Sequence, residues 1–153
     1  FSDIINSQEK LWTIFYPFIG QISFVIFFVS ALAEGNRIPF DLSEAESELV
    51  SGYTTEYSGI KFAIFYLAEY AHLFGISVLG SIVFFGGPNG PFVNSNVLIV
   101  LKALLFFTLI LFIRWSFFRI RIDQLLRFNW IKLIPISFLA LLSTCFIKYF
   151  GDF

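Results

Sequence analysis

The chain has no methionine, one cysteine (Cys145), one histidine (His72) and few charges. Each shortage excludes something. Without even an initiator methionine, residue 1 is not expected to be where translation began. A single cysteine and a single histidine cannot build an iron–sulfur cluster, a structural zinc site or bis-histidine haem ligation from this chain. Charged residues make up 14% of the sequence, against about 25% in soluble domains. A formal net charge of −1 gives no basic surface for nucleic acid. Residues 1–10 carry no basic segment followed by an apolar one, so no signal peptide is expected. No dinucleotide-binding glycine motif, phosphate loop or zinc-protease motif is present.

What the chain does have is apolar length. It is 58% hydrophobic and 21% aromatic, with 23 phenylalanines, and its mean hydropathy is +0.82. This composition predicts one membrane domain, all-α, in 153 residues. The excess of Phe over Met suggests an AT-rich genome such as an organelle's. Four stretches approach or exceed the ~20 residues that cross a bilayer: 11–33, 62–86, 97–118 and 130–150. The first is uncharged, with Pro17 placed to kink it and Trp12 at the interface. In the third, Lys102 and Arg114 sit near opposite ends and are expected to snorkel. The fourth is flanked by Lys132 and Lys148.

Between the first two spans lies an acidic loop, 34–61. With the start of the next helix it holds seven of the eleven carboxylates, Glu34, Asp41, Glu44, Glu46, Glu48, Glu56 and Glu69, against Arg37 and Lys61. Asp41-Leu-Ser-Glu44 has the form of a capped helix start. A helix over 42–50 would align Asp41, Glu44 and Glu48 on one stripe and turn Glu46 away. A solvated acidic face is one account of that stripe. The other is a set of coupled acids, because so many carboxylates in a small volume cannot all ionise independently. The loop 119–129 is basic, with Arg119, Arg121 and Arg127 around Asp123. Four spans put both loops on one side, and the positive-inside rule makes that side cytoplasmic or matrix. Pairing between the two loops is expected.

Glu69 is the sharpest signal. A charge inside a span costs at least about 2.5–3.5 kcal/mol on insertion scales, so intramembrane acids point to function. Proton handling is the functional account, and a structural ion pair with a cation on another helix is the alternative. His72, one turn on, is placed to relay a proton or simply to pack. Cys145 reads as a small buried hydrophobe.

Two blocks carry a resemblance. AEGNRIPFDLSEAESELVSGYTTEYSGIKFAIFYLAEY and FRIRIDQLLRFNWIKLIP resemble the signature regions of the NADH dehydrogenase subunit 1 family of respiratory complex I, with QEKLW before the first span also fitting. The likeness runs from Gln8 to about Pro135 and corresponds to the last four of that family's eight helices. It implies a membrane subunit of proton-pumping NADH:ubiquinone oxidoreductase that holds no redox centre or cofactor itself, with ubiquinone as substrate of the complex. It implies that Arg37, Asp41, Glu44, Glu46, Glu48 and Glu56 are quinone-chamber and coupling charges, that Glu34 and Glu69 lead a proton path with His72 beside it, and that Arg119, Arg121, Asp123 and Arg127 contact the peripheral arm. Implied partners are the quinone-proximal arm subunits, small membrane subunits, lipid, and a separate chain bearing the missing four helices. The implied location is the mitochondrial inner membrane, with both charged loops on the matrix side. The chain departs from the family at Gly35, His72 and Asn129, where Thr, Asn and Gly are common. A homologous hydrogenase subunit, a structural anchor for the arm, and an independent channel are the competing readings.

Overall fold

A computed structural model describes residues 2–8, 11–16, 18–35, 37–40, 56–90 and 95–151. Among these residues the protein is all-α, without strands. The helices are α1 (Ser2–Ser7), α2 (Ile19–Glu34), α3 (Ile60–Phe85), α4 (Asn96–Ser116), α5 (Ile122–Phe128) and α6 (Ile134–Gly151). A π-helical turn, Asn129–Leu133, joins α5 to α6. Among the described residues three helices are long and apolar enough to cross a bilayer: α3, α4 and the continuous helix that begins at Ile122.

The fourth apolar helix, α2, is shorter than its sequence run. Its 16 residues rise about 24 Å. The chain before it forms a separate 3-10 turn, Thr13–Phe15, and Phe18, at φ 63°, ends helical continuity just ahead of Ile19. The run expected as one span from residue 11 is thus a turn followed by a helix. Pro17 itself lies outside the described residues.

The last span also begins elsewhere than expected. Residues 122–128 are helical, so the basic loop contracts to the linker after Ser116. The helix starts early because Leu125 and Phe128, three apart, fall on one face. Leu125 packs against the core that includes Phe28, Leu32 and Phe40, and Phe128 lines the cleft beside them. Asp123 lies in the first turn of this continuous helix, where the dipole favours an anion, and Arg127 lies one turn further on. They sit on a helix, not in a loop.

Packing follows membrane rules. Lipid supplies no hydrophobic drive between helices, so close approach rests on small residues. Ser77, Gly80 and Ser81 of α3 and Ala103 of α4 are all buried. The two serines return their hydroxyls to their own helix, Ser77 to Leu73 O (2.8 Å) and Ser81 to Val78 O (2.8 Å). Phe106 of α4 fills the centre, with its ring 5.4 Å from Phe28 and 6.0 Å from Phe24 at edge-on angles. Phe28, Leu32, Phe40, Leu73, Phe106 and Ile110 form the core. Cys145, expected to be buried, is exposed on α6.

Candidate functional site: an arginine–glutamate pair joining the turn after α2 to α3

The site begins where α2 ends. Gly35 N–H donates to Ala31 O (3.0 Å), Arg37 N–H to Leu32 O (3.3 Å) and Phe40 N–H to Arg37 O (2.7 Å). These bonds fold the chain tightly back and carry Arg37 inward. Gly35 lies close against α3: a Cβ there would lie 2.5 Å from the end of the Leu73 side chain, which would have to shift. Arg37 is 3% exposed, and its guanidinium meets the Glu69 carboxylate at 3.2 Å. It also lies over the Tyr70 ring, 4.8 Å from its centroid. Tyr70 in turn accepts a hydrogen bond from Arg114 of α4 (3.2 Å). Glu69, Arg37, Tyr70 and Arg114 thus link α3, the loop entry and α4. The ion-pair account of Glu69 has a concrete partner in Arg37.

The two charged loops do meet. Ile120 N–H, in the linker after α4, donates to Pro39 O (3.0 Å). Expected side-chain pairing across them falls largely on residues 41–55, which lie outside the described residues, as do Asp41, Glu44, Glu46 and Glu48 and the helix expected there. Glu56 and His72 are exposed, Arg119 is half-buried, and Arg121, Asp123 and Arg127 are exposed. Glu34 is exposed too and lines a cleft of 430 Å³ between α2 and the helix that continues into α6.

The opposite end of α3 holds polar residues that the sequence pattern does not single out. Lys102, expected to snorkel, instead aims its ammonium at Phe85 O (2.6 Å), Gly87 O (2.9 Å) and Asn89 O (2.7 Å). It lies 4.5 Å from the Trp12 ring centroid. A cation among the carbonyls at a helix C-terminus is favoured by the macrodipole. Gly86, left-handed at φ 70°, closes the helix so that these carbonyls converge. Gln8, 3% exposed, donates to Ile82 O (3.2 Å) and Val83 O (2.9 Å), and Asn89 donates to Ile5 O (3.2 Å). The one advance signal is a lysine a turn and a half inside a helix that follows a glycine-rich turn. Among the described residues no group of three or more His, Cys, Asp or Glu side chains is placed to hold a metal ion.

Comparison with known proteins follows the same blocks. Residues 1–145 match the family model described as NADH dehydrogenase. The chain is 47% identical over 151 residues to a subunit of the NADH-quinone oxidoreductase of Bacillus cytotoxicus, covering 96% of this chain and 44% of that protein. It is 44% identical over 154 residues to the corresponding subunit from Carboxydothermus hydrogenoformans, covering 98% and 42%, and 45% identical to that from Brevibacillus brevis, covering 93% and 43%. The chain therefore spans less than half the length of these curated relatives.

Proposed function

Because this chain belongs to the NADH dehydrogenase family, we propose that it is part of the membrane subunit of a proton-pumping NADH:ubiquinone oxidoreductase and contributes to its quinone chamber and to the acidic path coupling quinone reduction to proton translocation. It acts there without a redox centre of its own. Its partners are the other subunits, among them a separate chain supplying the rest of the family's length, the quinone-proximal arm subunits and small membrane subunits. The mitochondrial inner membrane, suggested by composition, belongs to this proposal; the relatives described above are bacterial.

One observation supports the coupling role: the buried Arg37, in the turn after α2, is paired with Glu69 inside α3. Quinone reduction consumes protons, so it leaves the surrounding acids short of positive charge. In this scheme the loop carboxylates Asp41, Glu44, Glu46, Glu48 and Glu56 act on Glu69 through Arg37. A change in loop charge alters how firmly the guanidinium holds Glu69, and so how readily Glu69 takes a proton. Glu34 and His72 are the neighbouring carriers in this scheme. Arg119, Arg121, Asp123 and Arg127 form the edge that contacts the peripheral arm.

The test is Glu69→Gln in the assembled complex reconstituted into vesicles. Quinone reduction should persist while protons moved per quinone fall. Normal assembly with normal pumping would leave only the structural-anchor reading. The family's hydrogenases are the second reading; the quinone enzyme is favoured because each relative described above is a quinone oxidoreductase subunit.

A further inference from the structure

Two clefts flank the seam where α2 meets the helix that runs from α5 through the π turn into α6, and they differ in character. Ile26, Val29 and Leu133 line both, so these three form the ridge between them. On one side stand the polar groups of Ser30, Glu34, Asn129 and Ser137. The other cleft, of 380 Å³, offers an apolar surface from Ile22, Val25, Phe128 and Ile136, with Lys132 on its wall. It follows the helices for eight residues, from Phe128 to Ile136, or about 12 Å.

Its upper end is fixed by what lies beside it. Asn129 shares the polar cleft with Glu34, the last residue of α2, so this part of the helix is level with the loop-side end of the bundle. Lys132 is three residues deeper, about 4.5 Å. Its ammonium lies 5.8 Å from the centroid of the Phe128 ring, one turn back toward the loop side. Trp130, 68% exposed, stands at the same level, the placement of an interfacial aromatic. The ammonium thus snorkels to headgroup depth, and the groove descends from it into hydrocarbon. Among the described residues no carboxylate pairs with Lys132. Glu34 lies across the ridge, and Asp123 is nine residues nearer the loop side, about 13 Å. Arg127, exposed, adds a second cation on the loop side of Lys132.

We propose that this groove is a binding site for one anionic phospholipid of the loop-side leaflet, its phosphate held by Lys132 and one acyl chain laid between α2 and α6. Charge and shape both favour that occupant. The ammonium needs an anion at the membrane surface, whereas the groove below it offers no polar group to a polar ligand. A third helix, about 10 Å across, would need roughly 900 Å³ over the same 12 Å length, more than twice the 380 Å³ present. The loop side is also the face that the positive-inside rule makes cytoplasmic or matrix, where basic pockets between membrane helices take anionic headgroups.

The experiment reconstitutes the assembled complex containing this chain into vesicles that carry a trace of photoactivatable lipid. The lipid bears a diazirine midway along one acyl chain and either a phosphatidylglycerol or a phosphatidylcholine headgroup, and labelled peptides are mapped by mass spectrometry after irradiation. Segments 21–29 and 128–136 should take about fivefold more label from the phosphatidylglycerol probe, the preference that one basic group near the surface confers. Lys132→Gln should bring the two probes level, and Lys132→Arg should keep the difference. Ile136→Trp, which fills the groove, should lower labelling by both. Comparing the two probes on the unmodified complex requires no variant to fold. Equal labelling by them there, or a preference that survives Lys132→Gln, would overturn the site. Absence of label from both segments would show another subunit seated on the groove and overturn it as well.

Discussion

Arg37 and Glu69 approach to 3.2 Å although they belong to different segments, the turn after α2 and the interior of α3. Only 3% of the Arg37 side chain and 24% of the Glu69 side chain is exposed. Neither charge would be tolerated there alone. Their proximity makes the entry of the acidic loop and the second apolar span one electrostatic unit.

Removing one partner should therefore cost more than removing both. Breaking a buried pair leaves an uncompensated charge, at about 3–5 kcal/mol. Arg37→Leu is expected to destabilise the complex on that scale, whereas the double variant Arg37→Leu with Glu69→Gln should recover much of the loss. Thermal unfolding of the purified complex, compared across the four members of the cycle, measures the coupling. Additive single effects would show that the pair is not an energetic unit.

Lys102 should be as important to the other end of α3 as Arg37 is to this one. Its three short bonds to Phe85, Gly87 and Asn89 carbonyls are charge-assisted, and such bonds contribute roughly 1.5–3 kcal/mol each, not additively. Lys102→Met keeps the apolar stem and removes the ammonium, so a loss of about 3 kcal/mol is expected. Amide hydrogen exchange should accelerate at Gly87 and Asn89 and also in Ser2–Gln8, because Asn89 and Gln8 tie that segment to the same helix end. Faster exchange confined to α4 would contradict the clamp.

Much of this architecture is legible from the chain. Runs of apolar residues of spanning length can only be helices in lipid, where every backbone polar group must be satisfied internally. That requirement locates α3 and α4 to within about two residues at either end. It fails where side-chain packing decides. Residues 122–128 have loop character in Asp123, Arg127 and neighbouring Arg121, yet Leu125 and Phe128 draw them into helix. Lys102 is expected to snorkel because periodicity shows depth but not direction, and the carbonyls of Phe85, Gly87 and Asn89 prove nearer than water. Glu69 stands out in sequence, but its partner can be narrowed only to a cation. The π turn at Asn129–Leu133 has no sequence signal, so the grouping of Asn129 and Ser137 with Glu34 could not be anticipated.

Two glycines of α3 should respond oppositely to a methyl group. At Gly80 a Cβ would lie 3.1 Å from Phe27 and 3.2 Å from Phe106, against ring atoms in the packed core. Gly80→Ala should destabilise by about 1–3 kcal/mol, as overpacked cores do. At Gly75 nothing lies within 4 Å, and the same change should stabilise by up to about 1 kcal/mol through helix propensity. Thermal unfolding of both variants in the assembled complex tests the contrast. A penalty at Gly75 there would report another helix seated on that face of α3.

Tyr70 separates the two halves of the polar link. Its ring lies under Arg37, with the guanidinium 4.8 Å from the centroid, while its hydroxyl accepts from Arg114 at 3.2 Å. Tyr70→Phe keeps the ring and deletes the acceptor. Because the Arg114 contact is exposed, the loss should stay near 0.5–1 kcal/mol, the scale of a solvent-accessible charged contact. Tyr70→Ala removes the ring as well, adding a cation–π contribution of about 1–2 kcal/mol beside a buried guanidinium and loosening the hold on Glu69. If Arg37 controls Glu69, Tyr70→Phe should pump normally and Tyr70→Ala should lower the protons moved per quinone reduced. Equal pumping by the two variants, with only their stabilities differing, would show that the ring supports the fold without setting the charge on Glu69.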